Sequence, residues 1–412
     1  MPASALRPLP LFLAFAALQG CASFDDSRAP QEADLSRNRT GVPLAGLSST
    51  ARAQFDRGDG LFERTLRDAD GLGPLYVRAA CADCHRDDAR GPGLVEKISI
   101  LGADGVTASA DQSKLPFGHS VRPYVTAGAS TPVLAPPGDP QVKTSRRLGP
   151  PVIGRGYMEA VLDSEIERQE QEQASRDDGI HGRVHRVTYA SEANPASSPI
   201  LRKGDAGLVG RFGLKARSAT LDDFTADAFQ GDMGITSPLR PVELPNPDGL
   251  TDDDKPGVDT TLDVVNDIAA YLRMLAIPRR EAPADPTGAA LFAAVKCAVC
   301  HAPSLRTRAD YPIRELADID APVFTDFLLH DLGSALADGL DEGDASSREW
   351  RTAPLIGLRF DRVLLHDGRA RTIEEAVLAH DGDGSEARAS IALFQSLSRV
   401  EKASLLAYVG LL

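Results

Sequence analysis

Cys81-Ala82-Asp83-Cys84-His85 and Cys297-Ala298-Val299-Cys300-His301 decide how this chain is read. Two cysteines three apart with a histidine directly after form the attachment signature of c-type haem. On a helix, positions i, i+3 and i+4 share one face. Both thiols then reach the vinyl groups of one porphyrin edge, and the histidine ligates iron from the same side. A zinc site or redox dithiol is the alternative, but a zinc knuckle needs two further ligands at matching spacing. The chain has 5 cysteines, and the two motifs use all but Cys21.

Working outward, the 412 residues suffice for two or three domains, and 42% hydrophobic residues suffice for their cores. A formal charge of −14 argues against nucleic acid as a partner. Arg7 followed by the apolar run Leu11–Leu18 reads as a secretory signal, too short for a mature membrane span. Leu18-Gln19-Gly20-Cys21 resembles a bacterial lipobox, with Cys21 as the lipidated residue; the alternative is an ordinary cleaved signal. The absence of aspartate beside Cys21 favours outer-membrane sorting by analogy, with the lipid as the only membrane contact. Covalent haem attachment outside the cytoplasm agrees with a periplasmic location.

The expected organisation is a signal peptide at 1–20, a lipidated flexible tether at 21–49 and an N-terminal haem c domain at 50–278. A linker at 279–286 then leads to a C-terminal haem c domain at 287–412. Gly58-Asp59-Gly60-Leu61-Phe62 and Gly288-Ala289-Ala290-Leu291-Phe292 each precede a haem motif. The stripe Val264, Ile268, Leu272 and Leu275 is echoed by Leu405, Leu406 and Val409, which follow a Ser398–Glu401 capping box. This internal repeat predicts a mostly α chain of two cytochrome-c-like helical haem domains. Long loop insertions enlarge the first. One helix is predicted inside the insertion, from Tyr157 to Gln171, with Met158, Leu162 and Ile166 buried.

Several further stretches carry a resemblance. They are Gly71-Leu72-Gly73-Pro74-Leu75-Tyr76, Gly210-Arg211-Phe212-Gly213-Leu214-Lys215-Ala216, and Gly231-Asp232-Met233-Gly234-Ile235-Thr236-Ser237. Leu329-His330-Asp331-Leu332-Gly333, Glu349-Trp350-Arg351-Thr352-Ala353-Pro354-Leu355 and Leu365-His366-Asp367-Gly368-Arg369-Ala370 complete the set. From about residue 50 onward the chain resembles the bacterial di-haem oxidoreductases. This peroxidase or thiol oxidoreductase family is related to di-haem cytochrome c peroxidase and MauG. Leu214 stands where relatives often carry tryptophan, and residues 102–140 depart from the pattern.

His85 and His301 are the expected proximal iron ligands. What faces them decides between electron transfer and peroxide binding. His380 is the expected distal ligand of the second haem. It ends a short helix opened by a Thr372–Glu375 capping box, with Ile373 and Val377 on the same face. The resemblance also points there, since relatives carry their distal residue at about this distance after the His-Asp-Gly turn. His119 and Met233 are candidates for the first haem. The resemblance further implies an acid–base glutamate in the N-terminal domain, for which Glu159 is the candidate. Arg155 would steady the reacting oxygen or a propionate. His330 and His366 are expected to orient loops or propionates, and His181 and His185 to be loop residues.

The resulting expectation is a periplasmic di-haem c oxidoreductase that reduces hydrogen peroxide at the N-terminal haem. The C-terminal haem would relay electrons. Its donor would be a small redox protein, or a partner protein would be oxidised directly as in MauG. Calcium between the domains is a further implication of the resemblance. The rival reading is a non-catalytic di-haem electron carrier.

Overall fold

Ser48 starts the first described helix: its side chain accepts a hydrogen bond from Ala51 N–H at 3.2 Å, and α1 runs Ser49–Glu63. The computed structural model describes residues 31–32, 40–126, 128–250, 257–279 and 285–412. The expected signal peptide, Cys21, most of the tether before residue 40 and linker residues 280–284 lie outside the described residues. Residues 40–48, placed in the tether by sequence, lie against the body. Leu44 is buried, its N–H donates to Met274 O at 2.9 Å, and Val42 O accepts from Ala276 N–H.

The insertion contributes α2 (Arg155–Ala160), α3 (Asp163–Ala174) and α4 (Leu221–Met233). α5 (Leu262–Met274) crosses α1. The second half holds α6 (Pro286–Ala294), α7 (Cys297–Cys300), α8 (Ile373–Leu378), α9 (Arg388–Ser396) and α10 (Arg399–Gly410). Both predicted capping boxes form, Thr372 with Glu375 and Ser398 with Glu401.

The glycine of the repeated Gly-x-x-Leu-Phe pattern has a shared physical reason. A Cβ on Gly58 would lie 2.2 Å from Asp267 O and 2.6 Å from Tyr271 Cβ. A Cβ on Gly288 would lie 2.6 Å from Ser404 O and 2.5 Å from Tyr408 Cβ. In both halves the motif's glycine lets α1 touch α5, or α6 touch α10, backbone to backbone. Its phenylalanine then packs on the same tyrosine, Phe62–Tyr271 at 5.3 Å and Phe292–Tyr408 at 5.6 Å between ring centroids.

What recurs is this crossed pair, and the expectation of a mostly α chain of two helical domains is wrong. Helical residues make up 32% of the described chain, and extended residues, isolated bridges included, 16%. The chain carries 36 glycines and 29 prolines, which stop helices. Between the crossed helices the backbone finds partners in short ladders instead, one sheet of three strands and four of two among the described residues. The longest is a ribbon, Leu94–Ile100 antiparallel to Val142–Leu148.

The predicted helix from Tyr157 to Gln171 is broken into α2 and α3. Val161 leaves helical geometry at φ −55°, ψ 136° and forms an antiparallel bridge with Thr307, while Leu162 N–H donates to Arg306 O. A tertiary ladder contact thus overrides local helical preference, as it can for a β-branched residue. The break changes the register of everything before it, Glu159 included.

One apolar cluster spans both halves, from Leu44 through Tyr271 to Ile356. A second gathers Phe292, Phe324, Phe394, Leu405 and Tyr408 around the second crossing. No described helix is long and apolar enough to cross a membrane.

Two candidate haem sites

The first motif folds as a tight turn, with 3-10 geometry over Cys81–Asp83, while Cys84 and His85 N–H both donate to Cys81 O at 3.1 Å. Two glycines at the base of the ribbon clamp it. A Cβ on Gly93 would meet Cys84 Sγ at 2.6 Å, and one on Gly149 would meet Cys84 O at 2.6 Å and His85 Cε1 at 3.0 Å. The ribbon can seat on the attachment turn only because both positions lack a side chain.

His85 Nδ1 lies 2.7 Å from Pro150 O. A carbonyl only accepts, so Nδ1 carries the proton and Nε2 keeps its lone pair. Burial pushes the imidazole down to about 4, so it stays neutral at ordinary pH, the form that ligates iron. His85 borders a cavity with Cys81, Cys84, Phe212, Phe229 and Met233. Phenylalanine and leucine supply much of the wall, the apolar lining typical of cofactor pockets.

The cavity's charged residues make the test of fit sharper. Arg155 and Arg351 are 6% and 5% exposed and both line the cavity. Arg155 bonds Pro151 O and, at 2.9 Å, Met158 Sδ. Arg351 bonds Gly213 O at 3.0 Å and Thr352 O at 2.8 Å. Among the described residues neither forms an ion pair with a carboxylate; the nearby Asp361 is taken by Arg90 at 3.3 Å. Burial first, and then Arg351 and Arg90, bring Arg155 down to about 9; burial brings Arg351 to about 10 against the opposing effect of Asp326. Unpaired buried charge is costly, so an apolar cavity with two such cations suits a flat apolar group bearing two carboxylates. Haem, with its two propionates, fits that description.

Met233, the last residue of α4, lies on the cavity wall. His119 does not; its Nδ1–H donates to Ile98 O on the ribbon at 3.0 Å. Glu159 is also elsewhere. It lines a separate cleft with Arg273, Tyr311 and Asp163. There it accepts from Arg273 Nε at 2.5 Å and Nη2 at 3.0 Å, Tyr311 Oη at 2.7 Å, and Leu221 N–H at 2.7 Å. Burial alone would raise its carboxyl, but Arg273 and the α4 N-terminus hold it below the usual range. The carboxylate that does line the haem cavity is Asp232, which sequence reading passed over.

The second motif is the helix α7, and His301 N–H closes on Cys297 O at 2.9 Å. His301 Nδ1–H donates to Phe324 O at 3.2 Å, and His380 Nδ1–H to Ala376 O at 2.7 Å. Both Nε2 lone pairs are left available. His301 is pushed down to about 4, by burial first and then by His380, whose own value burial also lowers. His380 thus acts on His301, while the imidazole acting on His380 is that of His330. The structure therefore leaves His380 close enough for its charge to act on His301.

Behind Cys300, His330 sits between Asp326 at 2.9 Å and Glu386 at 2.8 Å. Ligand atoms of Cys300, Asp326 and His330 lie within 4.8 Å of one another. Gln173 joins this network, donating to Asp326 at 2.8 Å and to Val299 O in the motif at 3.1 Å. A Cβ on Gly182 would strike His330 at 2.5 Å, so the histidine is held from every side. His366 stacks on Trp350 at 4.1 Å. His181 Nδ1 bonds Gln173 O, and buried His185 bonds Lys215 O at 2.6 Å and Asp344 at 2.9 Å.

Arg351, Arg90 and Asp361 were missed as site residues. The only signal for Arg351 was its place in Glu349-Trp350-Arg351-Thr352; Arg90 and Asp361 are brought together across 271 positions.

Comparison with known proteins agrees with this chemistry. The family described as "Di-haem oxidoreductase, putative peroxidase" matches residues 129–412, which include the second haem motif and not the first. A solved structure of Kuenenia stuttgartiensis hydrazine synthase, pressurised with xenon, is similar at 13% identity. It covers 98% of this chain and 100% of that one with a TM-score of 0.38, too low to carry an argument. No curated protein matches. With more than half of its residues matched, the chain belongs to the di-haem oxidoreductase family.

Proposed function

We propose that this oxidoreductase reduces hydrogen peroxide to water at the first haem site, with the second site storing and relaying an electron. Haem bound at each site would supply the redox chemistry. The observation that carries the reading is the difference between the two proximal histidines. His301 has a second imidazole, His380, held in its field with Nε2 free. His85 borders a cavity instead. A site closed by two protein ligands passes electrons, and one with an open face binds a small oxidant.

The chain's own residues divide the remaining work. Pro150 O and Phe324 O fix the ligand tautomers. Arg155 and Arg351 would hold the propionates, and the phenylalanine walls would limit water. Cleavage of peroxide needs a group that takes a proton from one oxygen and returns it to the other. Asp232 is the carboxylate on the cavity wall, and we assign that role to it in preference to Glu159. Both haems would be attached through Cys81/Cys84 and Cys297/Cys300. Cys21 would anchor the chain by lipid to the outer membrane, facing the periplasm. The donor of electrons would be a small redox protein.

Met233 favours the rival reading, because a thioether on the cavity wall could close the first iron and leave an electron carrier. Spectroscopy of the purified protein with its haems separates the two. The proposal expects one high-spin haem in the resting or half-reduced protein and its rapid change on adding peroxide. Two low-spin haems in every redox state, with no peroxide consumed, would establish the carrier.

A further inference from the structure

Much of the haem cavity's wall is buried, Phe212, Leu221, Phe229 and Met233 included, so a bulky reductant needs a route to it that does not require entry. We propose that Tyr124 and Tyr76 form an electron relay from a surface cleft to the first haem site, through which phenolic donors are oxidised. This rests on the peroxide reading above.

Leu75–Tyr76 pairs antiparallel with Tyr124–Val125, placing Tyr76 directly opposite Tyr124. Their ring centroids are 5.5 Å apart, within the range of favourable aromatic contact. The chain has 7 tyrosines, and Tyr124 is the exposed one, at 49%. Tyr76 is half-buried, Tyr157, Tyr189, Tyr271, Tyr311 and Tyr408 are buried, and so is the single tryptophan, Trp350. The two rings wall an open cleft of about 440 Å³ together with Pro92, Gly93, Arg78 and Asp83.

The cleft reaches the haem site in three ways. Asp83 is part of the attachment turn. Gly93 abuts Cys84 Sγ, so the cleft floor lies on the sulfur that would carry the porphyrin edge. Arg78 lines both the cleft and the haem cavity, so the partition there is one residue thick. Tyr76 is joined to Cys81 through only Val77–Ala80. Two aromatic rings therefore lead from solvent to the attachment turn.

A phenol suits this cleft for two reasons. Its ring can lie against Tyr76, Tyr124 and Pro92, and its hydroxyl has the same chemistry as the tyrosines it would repair. Overall, one peroxide and two phenols give two waters and two phenoxyl radicals. In each half, an electron leaves Tyr124 by way of Tyr76 for the oxidised haem site, and the Tyr124 proton passes to water. The donor phenol then returns a hydrogen atom to Tyr124 and leaves as a phenoxyl radical. The two protons released enter the two waters formed from peroxide.

The test is Tyr124→Phe and Tyr76→Phe in the haem-loaded protein, with guaiacol as donor. Phenylalanine keeps the ring contact and removes the oxidisable hydroxyl. Peroxide-driven guaiacol oxidation is expected to fall at least tenfold in kcat/KM in Tyr124→Phe. A tyrosyl radical signal, trapped after peroxide without donor, is expected to disappear. The optical change of the haem on mixing with peroxide is expected to stay as in the wild type. Guaiacol oxidation unchanged in both variants, with that optical change intact, overturns the relay alone. No optical change in the wild type overturns the peroxide reading and the relay with it.

Discussion

Glu159→Gln separates a structural carboxylate from a catalytic one. The wild-type carboxylate accepts four hydrogen bonds, two from Arg273 and one each from Tyr311 and Leu221 N–H. A glutamine side chain is nearly isosteric but neutral, and its NH2 must face a donor that the carboxylate oxygen accepted. Breaking one partner of a buried ion pair costs about 3–5 kcal/mol. Arg273 retains Asp222 at 2.9 Å, which offsets part of that loss. The α4 N-terminus also loses its anion, about 0.3–1 kcal/mol. The net expectation is about 2–4 kcal/mol of lost stability. At about 2–4 °C per kcal/mol for a large domain, the melting temperature of the haem-loaded protein should fall on the order of 10 °C.

The pH dependence has a definite sign. Glu159 is held below its ordinary value in the folded chain, against the opposing push of burial. It therefore contributes stability above its unfolded value, about 4.3, and loses it as pH falls through the folded one. The gap between wild type and Glu159→Gln should be full at neutral pH and close below about pH 4. Thermal unfolding measured across this range, with peroxide turnover per folded molecule, is the assay. Turnover within about twofold of wild type is expected, since on the order of 100-fold is what a general acid–base group contributes at the least. Unchanged unfolding with turnover lost by that factor would refute the reasoning and return Glu159 to the chemistry.

Asp232→Asn should show the opposite pattern, with peroxide turnover down roughly 100-fold or more and haem spectra preserved; stopped-flow mixing with peroxide checks it. His380→Ala should alter the spectrum and potential of one haem only, leaving the other's peroxide response intact, as read by magnetic resonance of the two irons. Gly149→Ala forces a Cβ to 2.6 Å from Cys84 O. Overpacking of that kind costs about 1–3 kcal/mol, and it falls where the first porphyrin would be attached. Haem counted per chain by pyridine haemochrome should drop towards one.

Legibility in the sequence followed the range of the interaction. Both haem motifs, the Thr372–Glu375 box and the Ser398–Glu401 box are local patterns, and each takes the local geometry its spacing requires. The Gly-x-x-Leu-Phe repeat was visible, but its reason was not. Gly58 and Gly288 are small because a helix more than a hundred residues away must touch them. The ribbon was harder to foresee, since Val142–Leu148 reads Val-Lys-Thr-Ser-Arg-Arg-Leu and lacks clean alternation of apolar and polar residues. The break at Val161 was invisible because its cause, Thr307, lies in the other half of the chain. That one break explains the error over Glu159. Periodicity through an unbroken helix leaned it towards a buried stripe, and in the structure it turns to Arg273.

The arginines carry the same lesson into the chemistry. Sequence offers Arg155 only the reacting oxygen or a propionate, and among the described residues the structure gives it no anionic partner. Arg351 is in the same position from a segment nearly two hundred residues later. In a folded protein each such cation would ordinarily be matched or exposed. Here two of them border one apolar cavity, beside a neutral imidazole with its lone pair free and two thiols. No single one of these features would identify a cofactor. Together they leave a hollow whose missing part is flat, apolar, twice negative and able to accept a nitrogen ligand. The second motif has His380 acting on its proximal histidine instead. If both irons carried out the same step, nothing would call for this difference; a division between an oxidant-binding centre and an electron-storing one does.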